Sequence, residues 1–214
     1  IRMSLLILVI SVCVGVPVGI YSAVRQYSLW DTVPTMMAFF LAAVPSFVIG
    51  MVLMYFFALK INIFPSFGLS GLKSSMLPVS AVAISEAAAY LRFTKSSMLE
   101  AIRQDYVRTA RGKGVPERTV IWKHAMRNAL LPVITCVGMR FGVLLAGMVT
   151  TERLFSIPGI GSLIVDSISK KDEPVIIAAS ILIASAFTML MLLVDIAYAY
   201  VDPRIRAKYS RLER

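Results

Sequence analysis

Ionisable side chains are scarce inside the apolar stretches of this chain, and the few found there are the first candidates for chemistry. Glu86 and Arg140 each sit well within a hydrophobic run, and Asp195 lies near the end of another. A charge at such depth is costly in hydrocarbon, so it pairs or lines a water-filled pathway. Catalysis is a poor use for these residues. The single histidine, His124, has no nucleophile spaced to partner it, and with Cys13 and Cys136 it cannot make the usual zinc ligand set. An intramembrane protease would need a second aspartate beside Asp195, or a His-Glu-x-x-His run. An ATP site would need Gly-x4-Gly-Lys-Ser/Thr, which neither Gly71-Leu-Lys-Ser74 nor Gly112-Lys-Gly114 supplies. The chain reads as a non-enzyme with no cofactor and no metal site. Met36, Met37, Met51 and Met54 read as lipid-facing or packing groups.

The elements that position these residues are membrane spans. Of the 214 residues, 58% are hydrophobic and only 16% charged, with a mean hydropathy of +0.79. Those values predict an all-α, polytopic bundle. Five spans are expected: A from Met3 to Val24, B from Pro34 to Leu59, C from Leu77, D from Ala129 to Thr150, and E from Val175 to Val201. Span C turns polar after Leu91 and is expected to continue as helix, with Arg92 and Lys95 snorkelling at the interface. A net charge of +10 would suggest nucleic acid in a soluble protein. Here the basic residues cluster between spans C and D and in the tail from Arg204, which marks those segments as cytoplasmic instead. The B–C and D–E loops then face outward. Within the D–E loop, Ile157-Pro-Gly-Ile-Gly161 interrupts an apolar stretch and suggests a re-entrant, scoop-like element. The opening Ile1 and an outward N-terminus predict one more span upstream, six in all.

The segment of about 98–128 is too basic and too helix-favouring for a mere connector. Ser97–Glu100 resembles a helix start, Glu100–Arg111 can form an amphipathic helix, and Gly112-Lys-Gly114 breaks it. Pro116 suits the first turn of a second short helix running through Lys123. Two short helices about a glycine turn make a projection that can plug into a partner. This segment resembles the cytoplasmic coupling loop, the EAA loop, of ATP-binding-cassette import permeases. Counting back from Gly114 sets Arg108-Thr109-Ala110 on the family's Glu-Ala-Ala triplet. Asp105-Tyr106-Val-Arg-Thr-Ala-Arg111, Gly112, and His124-Ala-Met-Arg127-Asn128 are similar to the dipeptide/oligopeptide/nickel branch, as is the late Leu131-Pro132 pair. So are Val16-Pro-Val-Gly19, Pro45-Ser-Phe47, Glu152 with Phe155 and Pro158-Gly-Ile-Gly161, and Asp202-Pro-Arg204, so that the likeness covers nearly the whole chain, 1–214, as a single domain. The literal Glu86-Ala87-Ala88 lies inside span C, with Arg92 where the glycine should stand, and is not the docking loop.

The resemblance implies a type I importer transmembrane fold in a prokaryotic cell membrane, of the first-permease type. It implies a second permease subunit, separate ATPase subunits that receive the coupling loop, and an external solute-binding protein. Peptides, nickel or metal chelates are the solutes it allows. Glu86, Arg140 and Glu152 are the expected pathway residues. Counting about 1.5 Å per residue places Glu86 about 13 Å below the outer surface and Arg140 about 16 Å above the inner one. In a core of about 30 Å these are nearly one level, so the two are expected to pair or to face the pathway together. Arg140 is then placed to meet an anionic solute group. The competing explanation is a structural ion pair or helix contact, since Gly138 and Gly142 bracket Arg140 at close-packing spacing. An ion-coupled secondary transporter is the other function considered, and it leaves the loop without a role.

Overall fold

The computed structural model describes residues 2–68, 71–146 and 148–201. Those residues form helices and no strand. Helix α1 (Arg2–Val24) leads into α2 (Leu29–Ala43) and α3 (Ser46–Leu53), which runs on as a π-helical stretch to Lys60. The long α4 (Leu72–Ile102) is followed by the short α5 (Asp105–Gly112). Next come α6 (Glu117–Thr119), a π-helical link over Val120–Ala125, and α7 (Met126–Ala146). The chain ends with α8 (Val149–Leu154), α9 (Ile160–Lys170) and α10 (Glu173–Val201). Among the described residues four helices are long and apolar enough to span a membrane, and there are five if α2 with α3 and its π-helical extension count as one bent span.

Helix α4 is the hub, packed on by α1, α2, α3 and α7. Its contact with α1 is unusually close because the buried face of α1 is built from small residues. Ser4, Ser11, Gly15, Gly19 and Ser22 recur at helical spacing there, with Ile7 among them. A Cβ on Gly15 would lie 2.5 Å from the Ala87 carbonyl oxygen, and one on Gly19 would lie 2.7 Å from that of Leu91. Backbones in membranes approach this way where no side chain intervenes. Gly138 and Gly142 play the same part for another pair: Val194 and Phe187 of α10 occupy the space beside them.

Several elements differ from the sequence reading. Span B is not one straight helix, because α2 and α3 meet at 99°. Pro45 bars Val44 from helical backbone (φ −91°, ψ 123°), so the chain must turn there. Ser97 is buried inside α4 and starts no helix; the break falls at Arg103-Gln104, where α5 is released. The second loop helix does not stop at Lys123 but joins α7, giving continuous helix over Glu117–Leu145. Pro116 caps that helix from outside its first turn. The interrupted D–E stretch forms α8 and α9 with a Pro158-Gly159 corner between them. Asp202-Pro203-Arg204 and the basic tail lie outside the described residues.

Alanine at Gly15 or Gly19 should each destabilise the protein by about 1–3 kcal/mol, because the obstructing atoms are backbone. Alanine at Gly112, where nothing stands within 4 Å of a new Cβ, should leave stability unchanged. Thermal unfolding of the purified variants in detergent measures the difference.

Candidate functional site

At one end of the bundle, α5 and the start of the Glu117–Leu145 helix fold onto the ends of α1 and α4. Val107 and Ala110 of α5, three residues apart, point inward. They join Ile20, Met98, Val120 and Ala125 in one buried cluster. The opposite face of α5 carries exposed Asp105, Tyr106, Arg108 and Thr109. Gly112 and Gly114 are exposed as well, and so are Arg127 and Asn128, while His124 is half-buried. Ala110 therefore belongs to the packing of this projection and not to its outer surface. Gly114 has φ +76°, a conformation that side chains disfavour, and it turns the chain toward Pro116. Across that turn Arg111 grips Glu117 through two hydrogen bonds of 3.0 and 2.6 Å. Partial burial pushes the Tyr106 phenol above its usual pKa, with the neighbouring Asn128 side chain pulling the other way.

Midway along the bundle, Glu86 of α4 and Arg140 of α7 form a two-pronged pair. Arg140 Nε donates to Glu86 Oε2 at 2.7 Å and Nη2 donates to Oε1 at 3.0 Å. The carboxylate side chain is 14% exposed and the guanidinium side chain 41%. Tyr90, one turn beyond Glu86, places its ring centroid 6.0 Å from the guanidinium carbon. Its buried hydroxyl has no hydrogen-bond partner among the described residues, and neither does that of Ser85.

Glu152 does not join this pair. It is buried in α8, where Oε2 accepts the Ser162 backbone N–H at 2.7 Å. The N-cap of α9 is Gly159, which has no side chain to satisfy that amide, so an acceptor must come from elsewhere. A Cβ on Gly159 would lie 2.2 Å from the Glu152 carboxyl carbon. Proximity to the corner thus explains both the glutamate and the glycine.

A second ion pair was not foreseen. Asp31, near the start of α2, is buried and bound to Lys95 of α4. Asp31 also accepts from the Ser22 hydroxyl of α1, from the Tyr27 backbone N–H at 3.0 Å, and from Thr35 at 3.2 Å. Lys95 donates to Thr35 as well, at 3.0 Å. Lys95 hence does not snorkel, since a buried carboxylate holds it. Arg92 stays exposed, with its guanidinium 5.1 Å from the ring centroid of the exposed Phe39. The available signal was the lone Asp31 just ahead of span B, with hydroxyls at Ser22 and Thr35 in the flanking helices.

Comparison with known proteins adds a family. The description "Binding-protein-dependent transport system inner membrane component" matches residues 15–207. The chain is 39% identical over 198 residues to a glutathione transport system permease protein, GsiC, of Pectobacterium atrosepticum, covering 92% of this chain and 65% of that protein. It is 38% identical to the oligopeptide transport system permease protein AppB of Bacillus subtilis, covering 92% and 66%. A probable peptide ABC transporter permease protein, y4tP, of Sinorhizobium fredii is 36% identical, with 96% and 68% covered. The chain thus spans just under two thirds of the length of the glutathione permeases it matches. In fold it is similar to a chain of the inward-facing MetNI methionine ABC transporter, with TM-score 0.76 and 14% identity over 94% of this chain and 92% of that one. An amino acid ABC transporter chain gives TM-score 0.63 at 16% identity, with 95% and 91% covered.

Asp31→Asn or Lys95→Met alone should destabilise the protein by roughly 3–5 kcal/mol, because each leaves a buried partner uncompensated. The double variant should lose clearly less than the two losses combined. A thermal or denaturant double-mutant cycle tests this, and additive losses would show that the two groups do not depend on one another.

Proposed function

Since this chain belongs to the family of binding-protein-dependent transport system inner membrane components, we propose that it is a permease subunit of an ATP-binding-cassette importer for peptides or peptide-like solutes such as glutathione. It lines the pathway together with a second, related permease subunit. An external binding protein delivers the solute, and separate ATPase subunits supply the energy. The exposed face of α5, with Asp105, Tyr106, Arg108 and Thr109, enters a groove on the ATPase. Gly112, Gly114, His124, Arg127 and Asn128 shape or border that contact, and Glu86 with Arg140 lines the pathway.

One observation carries this reading. The projection is rigidly packed on its inner side, by Val107 and Ala110, and left polar and open on its outer side. A basic face serving only to orient the chain would not need a buried core linking it to α1, α4 and α7. The relatives named for glutathione and peptides favour those solutes over nickel. An ion-coupled secondary transporter would have no use for such a projection, and the family membership speaks against it.

The test is reconstitution of the full-length chain with its companion permease and ATPase subunits. Gly114→Asp should cut solute-stimulated ATP hydrolysis by about ten-fold or more, equivalent to about 1.4 kcal/mol of lost coupling. A chain that transports solute with no ATPase present would instead be a secondary transporter.

A further inference from the structure

We infer that the Glu86–Arg140 pair is a binding site for the free carboxylate of the solute, which docks on the edge of the Arg140 guanidinium that Glu86 leaves open. The inference rests on the peptide-importer reading above and adds to it the chemical group recognised within the membrane.

The argument begins with donors. A guanidinium offers five N–H groups, and Glu86 takes one from Nε and one from Nη2. Three remain, both on Nη1 and one on Nη2, and one from each nitrogen makes a second bidentate edge. Among the described residues no hydrogen bond is made to that edge, and the Arg140 side chain stays 41% exposed while that of Glu86 is only 14% exposed. At mid-bilayer depth three free N–H groups cannot be left against lipid. The opposing arrangement, a purely structural helix contact, is supplied elsewhere on α7. Gly138 and Gly142 face Val194 and Phe187 of α10, and Phe141 is buried against α1 and α4. Close packing of α7 therefore does not need Arg140.

The surroundings suit a transient anion. Glu86 neutralises the resting charge, so an arriving carboxylate is held by directed hydrogen bonds without the full attraction of an unpaired cation. Binding weak enough to permit release is what a pathway contact needs. The Tyr90 ring backs the guanidinium, and Tyr90 and Ser85 bring hydroxyls with no partner among the described residues to the same stretch of α4. Arginine matches a carboxylate in a planar fork, and every peptide with a free C-terminus, as well as glutathione, carries that group.

The experiment uses the complete transporter in vesicles, with its binding protein, and follows uptake of alanine peptides of two to five residues and of glutathione. Arg140→Gln should raise the KM for the transported peptide by about ten-fold. Glu86→Gln, which frees the whole guanidinium, should lower KM and slow turnover, as a solute held too tightly leaves slowly. The exchanged variant Glu86→Arg/Arg140→Glu restores an ion pair between α4 and α7 but moves the cation to the other helix, and it should not restore uptake. Recovery of wild-type uptake in the exchanged variant would overturn the site and leave a structural pair, while the importer reading stood. An unchanged KM in an assembled Arg140→Gln complex would do the same. If Arg140→Gln fails to assemble, the exchanged variant still decides. A wild-type complex that moves none of these peptides would overturn the peptide reading and the site with it.

Discussion

Everything in this bundle depends on how closely α1 can approach α4. In water, the hydrophobic effect would hold two such helices together with side chains between them. In lipid that force is missing, because the surrounding tails are as apolar as the helix faces. What remains is van der Waals contact and hydrogen bonding, both of which fall off steeply with separation. Gly15 and Gly19 let α1 rest on the carbonyls of Ala87 and Leu91. That contact fixes the axis of α4, and α2, α3 and α7 are then placed against it. With α1 seated, Ile7 meets Val79, Val82 and Phe141, and Ile20 meets Met98.

Upon that frame two ion pairs act at different levels. Both use α4 as one partner, with Lys95 toward one end and Glu86 near the middle. Their surroundings differ in a way that separates their roles. Asp31 is 5% exposed and is surrounded by four donors drawn from α1, the α1–α2 turn, α2 and α4, so its acceptor capacity is filled. A pair closed in this way specifies which helices meet, and removing one member strands the other. Arg140 keeps three of its five donors without a partner among the described residues, on a side chain that is 41% exposed. The closed pair behaves as a clamp beside the α5 projection, and the open one as a surface with something left to bind.

Much of the architecture was legible because hydropathy at span length reports directly on membrane burial. Spans A and E lie within a residue or two of α1 and α10, and the continuation of span C as helix beyond Arg92 is what α4 shows. Counting rise per residue from opposite faces put Glu86 and Arg140 at one level, where pairing and a shared pathway face were both open, and the two pair. Local signals were less dependable. Ser97 looked like a helix start, but it lies buried within α4, which runs on to Ile102. Pro116 looked like a first-turn residue, yet the π-helical link carries the chain on into α7 without a stop. Pro45 sat in a stretch apolar enough to span, and only its restriction on Val44 reveals the 99° bend. The Asp31 clamp was hidden for another reason: its partner is 64 positions away in sequence (95 − 31), and neither residue breaks the hydropathy pattern around it.

The unbroken helix from Glu117 to Leu145 has a mechanical consequence. From Glu117 to Arg140 is 23 residues, or roughly 35 Å at 1.5 Å per residue. Val120 and Ala125 of that helix share a buried cluster with Val107 and Ala110 of α5. The projection and the mid-bundle guanidinium are thus two ends of one lever, with no loop between them to absorb movement. Arg111 and Glu117 tie α5 to the lever's tip a second time. On the importer reading, displacement of α5 by a partner tilts or turns the helix that carries Arg140, while Glu86 stays on the α1–α4 frame. The two-bond fork between them tolerates little rotation, because both donors lie in one plane. A modest turn of α7 therefore suffices to loosen the Glu86–Arg140 pair. The same motion that couples to the projection would change how the guanidinium presents its open edge to the pathway.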